Sequence, residues 1–529
     1  MIYTSHGLKK EFNYEVDRMQ SENVLEVIIV GAGFSGMAAA ARLKREGCES
    51  FLILEKADEV GGTWRENTYP GCACDVKSNL YSYSFAPRSN WSRLYATQPE
   101  ILEYLQDCSR NLGLRQHIRF NSAVQEARFD SVSGRWKIKT KGMELEARIL
   151  VLAIGPLNRP SIPDIPGLRE FPGPVFHSAR WNHDVDLRGK RVAVVGTGAS
   201  AIQVVPGIID EVKELNLFQR TAAYVTPRKD KPVGSLLQGL FDLFPLLQKL
   251  HRLKIYAYNE LIAGPVIYGS ETLNHLARRV ALRHIKKAIR DPELIQKLTP
   301  DYRIGCKRVL LSDDYYPALA TDHARVIDSS VARIEGNQVI ASNGERARAD
   351  ALIFCTGFHV ANMHRNLDLD ILGPGGQSLK EYWSLNGMHA YLGTTITGFP
   401  NLLFFLGPNT GLGHNSMVHM MESQSNYLAD YLKTLRKYPD HYLDVRSEHD
   451  RTFNKTIQER MKNTKWTSGC ISWYLNEKGE NRVLWPGSTL SFRQATRNLD
   501  LNAYNLVRQD LVTLEPLSPR EDRMAGRAG

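Results

Sequence analysis

The chain has 529 residues, 43% of them hydrophobic and 23% charged, with a formal net charge of +10. That length exceeds what one core can organise and predicts roughly two to four folded units of ordinary globular composition. Lys and Arg are interleaved with Asp and Glu along most of the chain, which argues against a nucleic-acid partner.

In chain order, VLEVIIV (24–30) reads as a buried strand, followed by GAGFSG (31–36) and an Ala-rich helix, with FLILE (51–55) as the next strand. ILVLAI (149–154) is another strand. The pattern then restarts at RVAVVGTGASAIQVV (191–205), strand, glycine turn and helix, with LNLFQR (215–220) as its second strand. ALIFCTG (351–357) and NLLFFLG (401–407) are further buried strands. Strands alternating with helices predict an α/β fold of two Rossmann-like dinucleotide-binding domains with parallel sheets. The expected division is a discontinuous FAD domain at 1–155 and 350–529 and an NADPH domain at 156–349. Within the latter, 228–300 reads as a helical insertion. It holds an apolar run, VGSLLQGLFDLFPLL (233–247), which Pro245 would interrupt, and a basic helix at 276–297. A small packed core, a substrate tunnel and an interfacial membrane patch are all open to the apolar run.

The first loop places Gly31, Gly33 and Gly36 between a strand and a helix, where glycines allow a tight turn and close approach of a pyrophosphate to the helix N-terminus. Glu55, ending the next strand, can accept from ribose hydroxyls. The second loop has Gly196, Gly198 and Ala201, with Ala199 and Ser200 at the phosphates. Its second strand ends in Arg220 and Thr221 instead of a carboxylate. A cation there attracts a 2′-phosphate, so this domain favours NADPH over NADH. Two such loops in this order suggest a flavin enzyme fed by a nicotinamide, with FPGPVFHSARWN (171–182) between them.

The seven cysteines are odd in number and scattered, which predicts free thiols in a reducing compartment. Cys72 and Cys74 have the wrong spacing for a redox-active pair, which disfavours a disulfide reductase, and no metal site is expected. The N-terminus has no apolar core of signal-peptide length and no apolar run approaches membrane-spanning length; the expected location is cytoplasmic. The tail, PREDRMAGRAG, reads as disordered.

Phe171, Gly173, His177 and Trp181 match the F-x-G-x-x-x-H-x-x-x-W fingerprint, and the chain resembles the Baeyer–Villiger monooxygenases of the class B flavoprotein monooxygenases. The family usually carries Pro or Asp where Asn182 stands here. A second signature lies in GGTWRENTYPGCACD, through Gly61, Gly62, Trp64, Tyr69, Pro70, Gly71 and Asp75. The resemblance runs from VIIVGAG to the SWY at 472–474.

It implies FAD, NADPH and dioxygen as reactants, a flavin C(4a)-peroxide, and conversion of a small apolar ketone to an ester or lactone by a monomer or weak oligomer. Gly62, Thr63 and Trp64 would then line the FAD site beside Asp75. Arg308, in CKRVLLSDDYY, would be the fixed cation that stabilises developing negative charge, with Asp75 orienting it; an ordinary structural ion pair is the other reading of these two. Lys307 would join Arg220 and Thr221 at the 2′-phosphate. Trp473 resembles a tryptophan on a loop closing over the nicotinamide, against the alternative of a core aromatic. Gln98 resembles a segment near the flavin. His177 admits general acid–base work or control of domain closure, and the linker position favours the second. Gly413, His414 and Asn415 could contact flavin or substrate or form a plain turn. Competing functions are oxygenation of sulfur or nitrogen or hydroxylation of an apolar chain, against which Trp181 argues, and a non-enzymatic nucleotide-binding protein, against which Arg308 argues.

Overall fold

Strand Leu25–Val30 sends alternate side chains into two cores, Val27 and Ile29 into one and Ile28 and Val30 into the other. Burial on both faces is the pattern of a parallel strand covered on each side. The computed structural model describes residues 24–361, 367–470 and 472–509; the N-terminal stretch and the tail read above as disordered lie outside the described residues.

The first sheet runs in the order Asp370–Leu372, Val124–Asp130, Arg135–Thr140, Met143–Leu152, Leu25–Val30, Phe51–Leu54, Ile118–Arg119, with Leu402–Phe404 also paired to Met143–Leu152. Its nucleotide-facing half is parallel. Val124–Asp130, Arg135–Thr140 and Met143–Leu152 form an antiparallel meander beside it. The second sheet is wholly parallel, in the order Ala324–Ile327, Glu214–Phe218, Arg191–Val195, Ala351–Phe354, Val175–His177. Ala351–Phe354 therefore belongs to the second sheet, and the chain returns to the first after Phe354 rather than at 350. Position in sequence alone puts this strand with the first sheet, because any buried run ending in glycine suits either one; its pairing with Arg191–Val195 and Val175–His177 puts it in the second.

Between Val225–Thr226 and Leu310–Leu311 lies a run of helices: Ser235–Leu243, Pro245–Tyr258, a π-helical turn Asn259–Ala263, Gly264–Tyr268, Glu271–Ala288 and Pro292–Lys297. Pro245 takes the first helical position, where its missing N–H costs nothing, and so starts a new helix after Leu243. The basic segment expected as one helix over 276–297 is two. Pro292 cannot continue the first, and Asp291 caps the second through the Glu293 amide (2.9 Å).

The expectation of free thiols throughout is corrected at one pair. Cys306 and Cys470 form a disulfide, with Cα atoms 6.2 Å apart across 164 residues of sequence. Scattered spacing cannot reveal such a pairing, because the fold alone brings the two together. Cys48, Cys72, Cys74, Cys108 and Cys355 are free and buried.

Candidate active site

The two glycine loops are built alike. Gly31 sits at φ +106°, where a Cβ would lie 2.6 Å from the Ala153 carbonyl; Gly196 sits at φ +112°, with the Cys355 carbonyl 2.5 Å from the same point. Each loop thus presses against the end of a neighbouring parallel strand; the first-glycine amides are held by strand carbonyls, Gly31 by Leu54 (2.8 Å) and Gly196 by Phe218 (3.0 Å), and the helix start that follows is the end suited to a phosphate. In the first domain the loop also meets the GGTW segment: a Cβ on Gly62 would approach the Gly33 Cα to 3.2 Å. Glu55 is buried and accepts from the amides of Ala32 (2.7 Å) and Ala57 (3.0 Å), so its carboxylate ties the glycine loop to the following strand. Gly36 lies in the first turn of the helix Phe34–Arg45, packed against the Gly31 carbonyl. Thr63 and Trp64 begin the short helix Thr63–Glu66, Trp64 Nε1 donates to the Tyr81 hydroxyl (3.1 Å), and the Gln98 amide holds the Trp64 carbonyl.

Asp75 and Arg308 meet. Arg308 donates from Nε (2.9 Å) and from a terminal nitrogen (2.6 Å) to one Asp75 oxygen, and its other terminal nitrogen reaches the Leu412 carbonyl (3.3 Å). The Asp75 charge holds this guanidinium above its ordinary range, so it is cationic at every working pH. Both side chains keep 28% of their surface, so the cation is fixed but still reachable. Tyr474 is buried beside it; burial pushes that phenol up to about 12, with the Arg308 charge pulling the other way. Trp473 is 46% exposed and packs on Tyr474 (centroids 4.2 Å), which removes the core-aromatic reading for Trp473. The disulfide ties Cys306, two residues before Arg308, to Cys470, three before Trp473.

Lys307 goes elsewhere. Its ammonium lies 4.8 Å from the Tyr302 ring, and its pKa is lowered by burial and then by the charge of Arg220. Two cations thus converge where Thr221, whose carbonyl accepts from Thr197 (2.8 Å), ends the second strand. Gly198 faces open space, and Ser200 precedes the helix Ala201–Ile208.

The fingerprint segment bridges the domains. Phe171 is in the core of the second domain and Trp181 packs edge-on against Phe176 (5.1 Å). Gly173 lies against the Asp350 carbonyl. Arg180 pairs with Glu66 (2.7 Å) and His183 with Thr68 (2.8 Å), both on the side of the first domain, while Asn182 accepts from the Asp184 amide in its own turn. His177 is buried, accepts from the Ala179 amide (3.1 Å), and is pushed down to about 4 by burial. One ring nitrogen of His177 is thus spent on its own segment, and burial keeps the ring neutral at ordinary pH.

His414 and Asn415 turn toward the helical insertion. His414 bonds Tyr268 (2.8 Å) and Glu260 (3.3 Å), and Asn415 donates to Glu260 (2.6 Å). Burial alone would raise the Glu260 carboxyl, yet these bonds and one from Thr489 hold it at about 2. Three contributors escape a reading of the sequence. Gln203 accepts from Tyr69 (3.0 Å) and donates to the Ala73 carbonyl (3.0 Å), locking the second domain's helix to the TYPGCACD segment. Arg228 stacks on Tyr95 and donates to the Cys74 carbonyl (3.0 Å). Tyr474 adjoins Arg308. A glutamine in a helix and a tyrosine beside a tryptophan carry no signature of their own; only TYPGCACD, already marked, pointed to where Gln203 would dock. A cleft of about 440 Å³ opens at this junction, lined by Tyr69, Gly71, Cys72, Tyr95 and Arg228 among others.

Against known proteins, residues 28–237 match the pyridine nucleotide-disulphide oxidoreductase family. The nucleotide-binding architecture is shared, but the thiol of Cys72 is pushed up to about 12 by burial and both Cys72 and Cys74 are unpaired, which is no disulfide-reducing centre. A Baeyer–Villiger monooxygenase of Streptomyces coelicolor is 48% identical over 486 residues, covering 92% of this chain and 93% of that protein. One of Pseudomonas aeruginosa is 44% identical, with coverage of 92% and 93%. Among solved structures, an oxidized steroid monooxygenase bound to NADP superposes with a TM-score of 0.80 at 29% identity, covering 92% of this chain and all of that one.

Proposed function

The chain belongs to the Baeyer–Villiger monooxygenases, NADPH-dependent flavoenzymes, and from that premise we propose that it inserts an oxygen atom beside the carbonyl of a small apolar ketone, giving an ester or lactone. The observation that carries this reading is the Arg308–Asp75 pair, a permanent cation held through two of its nitrogens by one carboxylate oxygen yet still partly open.

The residues present fit the two dinucleotides. The Gly31–Gly36 loop, the Gly62–Trp64 turn and Asp75 would hold FAD. The Gly196–Ser200 loop, with Arg220, Thr221 and Lys307, would hold NADPH. The reduced flavin supplies the activated oxygen when bound. Everything else falls to the chain. Arg308 donates toward the negative charge that develops as oxygen adds to the carbonyl, and Asp75 keeps its fork from swinging away. The bond to Leu412 sets the third direction of the guanidinium. His177 and Trp181 would hold the bridge between domains, and Trp473, exposed between the buried Ser472 and Tyr474, would cover the nicotinamide.

The test is oxygen uptake by the FAD-loaded enzyme with NADPH and a panel of ketones, with product mass measured. Arg308→Ala should still let NADPH bleach the flavin while ester formation falls by about 10²–10³-fold, the usual cost of deleting one such charge-stabilising donor. Esterification retained in that variant would remove Arg308 from the chemistry; sulfoxide formation from thioethers without ester from any ketone would favour the competing oxygenation.

A further inference from the structure

More than half of the exposed large apolar side chains among the described residues fall between 236 and 262. They are not a frayed surface. The helix Pro245–Tyr258 is fixed to the body by Gln248, which donates to Asn79 (2.9 Å) and the Arg88 carbonyl (2.6 Å), and by Arg252, which donates to the Asn79 carbonyl (2.7 Å). Phe241 and Ile255 are buried beneath. The opposite side is what faces water. Leu246, Leu250 and Leu253 form a stripe at helical spacing, each more than half exposed, and Leu261 extends it at 69%. Across the turn, Leu243 is 75% and Phe244 58% exposed. An ordered pair of helices that presents leucines outward is an interaction surface, because a solvated face gains nothing from them.

The charge around the stripe selects the occupant. Lys249 and Lys254 are exposed one turn from the leucines. Lys77 is depressed by burial and then by the charge of Lys254, and His251 by burial and then by Lys77 and Lys254, so cations are gathered here. Asp242, on the preceding helix, is the exposed acid of the hairpin between 235 and 258. A second copy seated by two-fold symmetry would bring these lysines toward their own images. An anionic lipid surface instead accepts the ammonium groups at its headgroups and the leucines at the acyl boundary, and the exposed Tyr258 suits the same depth.

We propose that the hairpin of Ser235–Leu243 and Pro245–Tyr258, continued by the π-helical turn to Leu261, lies in the interface of an anionic membrane with its leucine stripe inserted and its lysines on the headgroups. It lies on the bilayer without crossing it: among the described residues no helix is long and apolar enough to span a membrane. The surface leads back to the site through Glu260, which sits on the π-helical turn and holds His414 and Asn415. Those residues follow Leu412, the partner of Arg308. The inserted face is therefore joined to the loop that meets the fixed cation.

The experiment is flotation of the FAD-loaded full chain with vesicles of phosphatidylcholine alone or containing phosphatidylglycerol. Wild type should float with the anionic vesicles and release in high salt. The variants Leu246→Gln/Leu250→Gln/Leu253→Gln and Lys249→Glu/Lys254→Glu should each bind about tenfold more weakly, with oxidation of NADPH in solution unchanged. That last reading certifies the fold, since none of these side chains is buried. Absence of flotation, or equal flotation by the variants, would overturn the proposal. So would a wild-type dimer that the leucine variant dissolves while vesicles bind neither. Vesicle binding needs no ketone turnover, so its outcome is independent of the reaction assigned above.

Discussion

Neighbouring cations at 307 and 308 are divided between two tasks by their partners. Arg308 has a carboxylate on two of its nitrogens and a carbonyl on a third; Lys307 has a tyrosine ring and the repulsion of Arg220. Repulsion between two positive groups in an empty site is a cost that a doubly charged phosphate cancels, and a hydrogen bond to a charged group is worth about 1.5–3 kcal/mol. Removing both side chains, as Arg220→Ala/Lys307→Ala, should therefore lower kcat/KM for NADPH by at least about tenfold. NADH, which lacks the 2′-phosphate, should be used almost as before. Stopped-flow measurement of flavin reduction with each nucleotide checks this directly. Equal losses with both would mean that the two cations serve the fold or the flavin and not the phosphate.

At the scale of elements, the parts legible in the sequence are those whose physics is local. The two glycine loops declare themselves because a strand, a turn that tolerates positive φ and a helix must follow one another within about fifteen residues. Pro245 announces a helix start for the same reason. Ala351–Phe354 is the counterexample: its apolar run predicts a buried parallel strand correctly, but which sheet receives it is decided by Val195 and His177, more than 150 residues away. The Cys306–Cys470 pair is non-local in the same way. It joins the segment carrying Arg308 to the turn carrying Trp473, and it leaves five thiols free. Titration of the unfolded protein with a thiol reagent, without reductant, should find those five and then seven after reduction. Seven at the outset would show Cys306 and Cys470 to be unlinked in the protein as isolated. Single replacements Cys306→Ser and Cys470→Ser should then have the same effect on NADPH binding as each other, because each opens the same tether.

For the whole molecule, the site exists only where the two dinucleotide domains meet; Arg228 on Tyr95 and the Cys74 carbonyl and Arg93 on Asp230 are among the side chains that fasten them, but the fastenings are unequal. Arg180 to Glu66 and His183 to Thr68 are on the rim, where ion pairs and exposed hydrogen bonds contribute little. Gln203 is different. One amide group accepts from Tyr69 and donates to the Ala73 carbonyl, two residues before Asp75. With about 1 kcal/mol for each bond, and a further penalty where the Ala73 groups are left unpaired, Gln203→Ala removes on the order of 2–3 kcal/mol of fastening. A loosened arrangement would rise by roughly 30- to 160-fold in population. If oxygen transfer needs Arg308 and Asp75 held against the opposing domain, the loss falls on coupling and not on reduction. Gln203→Ala should bind FAD and consume NADPH near the normal rate, while hydrogen peroxide per ester formed increases several-fold. Peroxide and ester assayed in the same reaction decide it, with Gln203→Glu as the conservative partner that keeps an acceptor for Tyr69 and loses the donor to Ala73. An unchanged ratio in both variants would mean that the junction is held by other contacts, Arg228 and the bridge at 171–182 among them, and that Gln203 does not govern coupling.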